Sequence, residues 1–161
     1  MWASMRELLP TQPYGLQTIN QTRYDPVRFE PCAVSIETKV QGSEEEGKVQ
    51  LAMWSSAYFA RIRHFQQSMG GIRSLSTAGD AKPVSTITLP LLLAKRHHWS
   101  LLFARDCEDH IEVIGELSVG DTGSLHGMYK LLSALRCLAE WSTGTFQEWV
   151  ARELLRMDLS G

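Results

Sequence analysis

The sequence lacks a long hydrophobic run, and its first residues lack the apolar core of a signal peptide. The longest apolar stretch among the 161 residues, TITLPLLLA, is too short to cross a bilayer and is interrupted by Pro90. The opening segment carries Arg6 and Glu7 where a signal peptide would be apolar. We therefore expect an intracellular protein, in the cytoplasm or the nucleus, with no membrane partner.

Paired cysteines and an excess of basic residues are also missing. Cys32, Cys107 and Cys137 are odd in number and widely spaced, which suggests a reducing compartment and no structural zinc. The formal net charge is −2, whereas a domain that binds a duplex usually has a basic excess. Two small basic clusters are present, Ala60–His64 (ARIRH) and Ala94–His98 (AKRHH). They are interpreted as solvated faces of a helix and of a strand end, with nucleic-acid contact as the alternative.

The remaining composition is that of a globular domain. Apolar residues make up 43% of the chain and charged residues 21%, which suits one domain with a sizeable core. Residues 1–31 are rich in proline, glutamine, threonine and asparagine and predict an irregular lead-in with a short helix near Trp2–Leu9. Residues 32–161 predict the folded domain.

The periodicity of the folded part predicts alternating strands and helices. Val34–Val40 has the period of a strand. A long helix is predicted from Glu44 to about Gln67. Its N-cap is Ser43, and Glu46 completes a capping box. A loop follows, and then the remaining predicted elements: strands Thr86–Ala94, Trp99–Arg105 and His110–Leu117, and helices Ser124–Trp141 and Phe146–Met157. This order predicts a mixed α/β sandwich.

Apolar stripes on the helices predict which faces are buried. The long helix has a stripe formed by Leu51, Tyr58, Ile62 and Phe65. Beside this stripe we place a second set of apolar residues, Val49, Met53, Ala57 and Ala60. The combined face is broad, so we expect a well-buried helix, with Trp54 in the core. The helix that begins at Ser124 repeats its own apolar positions, Leu125, Met128, Leu131, Leu132, Leu135 and Leu138.

Two charged residues interrupt the apolar strand CAVSIETKV. With a period of two, Glu37 and Lys39 project from the same face of the strand. A carboxylate and an ammonium on a buried strand are costly unless they pair or unless a function requires them. The sequence therefore leaves two interpretations open, a partly buried ion pair and a catalytic site.

Several segments together resemble a known family. IETK fits the (D/E)-x-K signature, and Gln50 and Trp54 lie one turn apart on the following helix, as in a Q-x-x-x-Y motif with Trp in place of Tyr. INQTRYDPVRFEPCAVSIETK, QLAMW, HHW and VGDTGSLHGMYKLLSALRCLAEW extend the pattern over about residues 19–150. The chain thereby resembles a fungal family of PD-(D/E)XK nuclease-like domain proteins. The resemblance implies an α/β (α+β) restriction-endonuclease-like fold, a mixed sheet flanked by helices.

The resemblance also implies roles for individual residues. Glu37 would be a ligand of Mg²⁺, with the Thr38 carbonyl as a further ligand, and Lys39 would be the catalytic lysine. Gln50 would be a substrate-positioning residue, or else bond to the local backbone. Magnesium prefers hard oxygen ligands, which suits this set.

One residue of the family pattern is absent. The family has an Asp upstream of the segment that corresponds here to Ile19–Tyr24, but Met1–Thr18 contains no Asp. This departure predicts a fold that is incomplete at its N-terminus, through truncation or a late gene start. Asp25, 12 residues before Glu37, is the available substitute metal ligand. It precedes Pro26, which also favours a turn.

The segment DTGS, Asp121–Ser124, stands directly before an amphipathic helix. Thr122 or Ser124 is therefore predicted as an N-cap.

The resemblance implies a Mg²⁺-dependent phosphodiesterase, a hydrolase acting on DNA or RNA. The alternative is an inactive nuclease-like pseudoenzyme that binds a protein or small molecule, for example as an accessory protein in fungal specialised (secondary) metabolism. The sequence does not indicate an oligomeric state.

Overall fold

The computed structural model describes residues 5–7, 9–73, 86–107 and 109–155, with the backbone alone for residues 68–73. The chain divides into two compact units. Unit 1 comprises Met1–Cys32, Ala57–Ser85 and Glu148–Gly161, and unit 2 comprises Ala33–Ser56 and Thr86–Gln147. Among the described residues, no helix is both long enough and apolar enough to span a membrane.

Unit 2 is built on a mixed four-stranded sheet. The strands are β1 (Ser35–Lys39), β2 (Leu89–Lys95), β3 (His98–Asp106) and β4 (Ile111–Asp121), and they lie in the order β1-β2-β3-β4. β1 is parallel to β2, and the other two pairings are antiparallel. Parallel neighbours require a crossover connection, which here contains a long helix. The predicted class, a mixed sheet with flanking helices, is confirmed.

The crossover helix α1 spans Glu44–Arg73 and begins as predicted. The Ser43 hydroxyl accepts a hydrogen bond from the Glu46 amide at 3.1 Å, and the Glu46 carboxylate accepts one from the Ser43 amide at 3.3 Å. The helix continues past Gln67, where a loop was predicted, and runs through the adjacent Gly70 and Gly71. Glycine lowers helix stability by about 1 kcal/mol per residue, a cost that does not by itself end a helix. Residues 74–85 of the predicted loop lie outside the described residues.

The burial of α1 corrects the prediction of a broad buried face. The four residues of the main stripe are almost fully buried. Val49 and Met53, however, are 57% and 67% exposed, and Ala57 and Ala60 are exposed too. At 3.6 residues per turn these four positions lie more than about 100° from the stripe, so they face away from the core. Trp54, predicted in the core, is 48% exposed.

The second helix of unit 2, α2 (Leu125–Trp141), packs against the end of β4. Gly120 makes this contact possible. Its φ is +136°, and a Cβ there would clash with the Gly127 carbonyl and lie 2.6 Å from the Leu131 amide nitrogen. Leu131 is buried, but several residues of the predicted stripe are exposed: Leu125, Met128 and Leu132. A narrower face than predicted is therefore buried.

The chain remains helical after α2. Ser142–Phe146 and Val150–Leu154 are π-helical, with α-helical Gln147–Trp149 between them. The separate helix predicted from Phe146 to Met157 is therefore a continuation of α2, and its last residues lie outside the described part of the chain.

Unit 1 orders the lead-in segment through one asparagine. The Asn20 side-chain amide donates hydrogen bonds to the carbonyls of Val27 and Glu30, and its oxygen accepts one from the Cys32 amide at 3.0 Å. Residues 5–7 are helical, within the short helix predicted at Trp2–Leu9, while residues 1–4 and 8 lie outside the described residues. The buried core of this unit includes Met5, Leu9, Ile19, Phe59, Phe65, Val150 and Leu154.

Replacing Gly120 tests the contact between β4 and α2. We expect Gly120→Ala to lower the free energy of unfolding by about 2–4 kcal/mol. The strain of alanine at a positive φ and the clash of its Cβ with backbone atoms both destabilise the folded state. Denaturant unfolding measures the change. Gly144→Ala is the matched control, since a Cβ there meets no atom within 4 Å. Equal stabilities of the two variants would contradict this packing.

Candidate functional site

Glu37 and Lys39 form an ion pair on one face of β1. Lys39 Nζ lies 3.5 Å from Glu37 Oε1, and the two side chains are only 17% and 23% exposed, respectively. The opposite face of the strand carries Ile36 and Val40, which are exposed. The charged face of β1 is therefore the less exposed one, and the two charges on it offset each other.

The start of α1 lies over this charged face. In the β1–β2 register, Glu37 is beside Leu93 and Lys39 is beside Lys95. A Cβ on Gly47 would lie 2.6 Å from Leu93 Cδ1 and 3.6 Å from Lys39 Cγ. Glycine thus allows the second turn of the helix to approach the sheet at the ion pair.

Lysines of the sheet and the helix hold the acidic first turn of α1 in place. Lys95 Nζ lies 3.3 Å from Glu44 Oε1. Lys48 bridges Glu45 at 3.1 Å and Glu116 at 2.9 Å. Hydrogen bonds from Lys48 to Glu116 and then to Glu45 raise the pKa of the lysine. The first turn of α1, which follows the Glu37–Lys39 strand, is therefore fixed to the sheet by ion pairs.

Lys95 was not among the residues predicted for the site. Knowing that β1 and β2 are parallel would have identified Lys95. Both strands end in a lysine, and the parallel pairing places Lys39 and Lys95 side by side. The period of one strand carries no information about its neighbour. The sequence alone identifies AKRHH only as a charge cluster.

The other predicted site residues lie in different surroundings. Thr38 is exposed on the outer face of β1. Gln50 is exposed, and its side chain makes no hydrogen bond within the described part of the chain, so a bond from this side chain to the local backbone is not formed there. In unit 1, the Asp25 carboxylate is 80% exposed and lies 3.0 Å from Arg28 Nε.

The described ranges contain no group of three or more His, Cys, Asp or Glu side chains arranged to hold a metal ion. In unit 2, Glu37 supplies one carboxylate at the sheet. One or two carboxylates, several waters and substrate phosphate are the usual ligands of catalytic Mg²⁺. Glu37 fits such a site as its protein ligand.

The DTGS segment is a helix cap. Asp121 Oδ1 accepts hydrogen bonds from the amides of Gly123 at 2.9 Å and Ser124 at 2.7 Å, and Ser124 Oγ accepts one from Gly127 at 3.0 Å. Of the two predicted N-caps, Ser124 is therefore the one formed. Desolvation raises the pKa of Asp121, but hydrogen bonds from Ser124 and Gly123 outweigh it, so the pKa lies below its usual value.

A mixed sheet with a Glu-x-Lys pair on the strand before a crossover helix defines a nuclease-like domain. The chain belongs to the PD-(D/E)XK nuclease superfamily, whose family model matches residues 2–147. The match takes in the lead-in as well as the region carrying the motifs. No curated protein and no solved structure matches the chain.

A double-mutant cycle tests the Glu37–Lys39 pair. We expect Glu37→Gln and Lys39→Met to couple by about 1 kcal/mol, more than an exposed pair, because partial burial reduces solvent screening. Denaturant unfolding of the four proteins measures the coupling. The exposed Arg105–Glu112 pair is the matched control and should couple less, although its atoms are closer, at 2.5 Å. Equal coupling in the two pairs would argue against the partly buried setting.

The cap formed by Asp121 predicts a pH dependence of stability. A carboxyl whose pKa is lowered by folding stabilises the native state above its unfolded pKa, near 3.8, and this stabilisation is lost as the pH falls through the folded pKa. The melting temperature of the wild type should exceed that of Asp121→Asn at pH 6, and the difference should shrink below about pH 3.8. Glu140→Gln, on exposed α2 surface, is the control. A difference that is constant with pH would contradict the assignment.

Proposed function

We propose that the chain is a metal-dependent phosphodiesterase that acts on DNA or RNA. The observation that carries this proposal is the Glu37–Lys39 pair, partly buried on β1 beneath the close approach of α1. Membership of the nuclease superfamily supports it. A carboxylate for the metal and an ammonium for the phosphate then stand on adjacent same-face positions of one strand.

The chemistry follows from what these two groups offer. When bound, Mg²⁺ would polarise the scissile phosphate and lower the pKa of the attacking water. Glu37 would hold the ion through a carboxylate oxygen. Lys39, on the same face of β1, would direct its ammonium towards that phosphate. There it offsets the negative charge that develops in the transition state.

Substrate completes the site in this proposal. A single carboxylate and waters hold Mg²⁺ weakly, and the oxygens of a bound phosphodiester supply the additional hard ligands. Gln50 stands exposed on the flank of α1, at helical positions near Gly47, where it would contact the substrate rather than the protein. Metal binding is therefore coupled to nucleic-acid binding.

A non-catalytic binding protein is the second candidate, and one observation favours it. Both carboxylates named as metal ligands already have a cationic partner: Glu37 pairs with Lys39, and Asp25 pairs with Arg28. In that case the charged face of β1 recognises a charged group of a partner without hydrolysing it. The experiment below separates the two candidates.

Calorimetry and cleavage assays on the same variants test the proposal. We expect Mn²⁺ or Mg²⁺ to bind more tightly in the presence of a phosphorothioate oligonucleotide, and Glu37→Ala to abolish this gain. Cleavage of labelled DNA or RNA should disappear in Glu37→Ala and fall by roughly 10²–10³ in Lys39→Ala, the usual cost of losing one charge stabiliser.

Glu140→Gln and Lys130→Ala, on the exposed face of α2, control for general changes in charge. Wild-type activity in Glu37→Ala would disprove the assignment of the metal ligand. Oligonucleotide binding without cleavage in any metal would instead support the second candidate.

A further inference from the structure

Backbone hydrogen bonds connect the turn between β2 and β3 to two neighbouring parts of the sheet. Lys95 and His98 are cross-strand partners, so Arg96 and His97 form a two-residue hairpin loop. The Arg96 amide donates a hydrogen bond to the Lys39 carbonyl at 3.0 Å, and the Thr122 amide donates one to the His97 carbonyl at 2.9 Å. The turn is therefore anchored to β1 and to the end of β4, and its position relative to Glu37 and Lys39 is set by backbone hydrogen bonds.

Arg96 occupies a backbone conformation that favours glycine. Its φ is +53°, and among the described residues it is the one non-glycine residue with a positive φ. When the first central residue of a two-residue hairpin has a positive φ, glycine is the usual choice. The Arg96 side chain is exposed and forms no ion pair within the described residues, so no ion pair of this side chain offsets the cost.

The turn also places unmatched positive charge beside the candidate site. β1 and β2 are parallel, so Lys39 and Lys95 end adjacent strands at the same edge of the sheet. Glu37 and Glu44 each pair with one of these lysines. Arg96, the next residue after Lys95, therefore adds a guanidinium that has no ion pair in the described part of the chain, next to two lysines that are already paired. A guanidinium can bind phosphate oxygens with two parallel hydrogen bonds.

From this arrangement we infer that the β2–β3 turn, through Arg96, binds the phosphate backbone of a nucleic acid and aligns it across the Glu37–Lys39 pair. The inference rests on the proposed function for the identity of the polyanion. Arg96 is a positioning residue: it contacts a phosphate beside the scissile one and takes no part in bond cleavage. The sequence cluster AKRHH thus acquires a role in substrate binding.

Direct binding measurements test the inference without requiring cleavage. The probes are labelled single-stranded DNA and RNA of one sequence, with Ca²⁺ in place of Mg²⁺, followed by fluorescence anisotropy at several salt concentrations. We expect Arg96→Gln to weaken binding roughly three- to tenfold. The slope of log K against log[salt] should become shallower by about 0.7, the value for one phosphate contact on a single strand.

Two further variants separate binding from folding and from general charge. Arg96→Gly should lose the same affinity while its melting temperature equals or exceeds that of the wild type, because glycine accommodates a φ of +53°. Arg136→Gln removes an exposed arginine of α2 that has no ion pair within the described residues, and it should leave affinity and salt slope unchanged.

The possible results distinguish failure of the inference from failure of the proposed hydrolysis. The inference is overturned if both Arg96 variants keep wild-type affinity and slope, if Arg136→Gln reduces them equally, or if the wild type binds neither DNA nor RNA. Arg96-dependent binding without cleavage in Mg²⁺ or Mn²⁺ supports the inference and refutes the proposed hydrolysis. Cleavage that is independent of Arg96 supports hydrolysis and refutes the inference.

Discussion

The parallel pairing of β1 with β2 is the constraint on which the site depends. It sets Lys39 beside Lys95 and brings the carboxyl ends of both strands to one edge of the sheet. Parallel neighbours need a crossover, and the capping box of Ser43 and Glu46 starts the crossover helix within a few residues of β1. The helix therefore begins directly above the charged face, and Gly47 allows the close approach.

Electrostatic compensation explains how this face tolerates partial burial. Glu37, Lys39 and Lys95, the charges at this face, have partners of opposite sign within β1 itself or on the first turn of α1. Such pairs contribute modestly to stability, because desolvation cancels much of the Coulomb attraction. Their arrangement is nevertheless easy to change: a cation or a phosphate that competes for one member of a pair frees the other. The same charges can thus stabilise the resting protein and bind a ligand.

Local sequence patterns predicted several elements correctly, and the reason is that short-range forces decide them. The capping box at Ser43 and Glu46, the N-cap at Ser124 and the same-face placement of Glu37 and Lys39 each depend on residues fewer than four positions apart. The family was also recognisable from its motifs. The broad buried face of α1 was an error of a different kind, because the positions of Val49 and Met53 around the helix already placed them away from the stripe.

The sequence by itself determined the fold class, the starts of both long helices and the placement of a carboxylate and an ammonium on the same face of β1. Only the tertiary structure decided that the charged face of β1 lies inward, because burial depends on which element covers the strand. It also decided that Lys95 and Arg96 stand beside Lys39, across more than fifty residues of sequence. Chain topology and sheet hydrogen bonding determine which strands are neighbours, and the residue pattern of a single strand does not show which strand it pairs with.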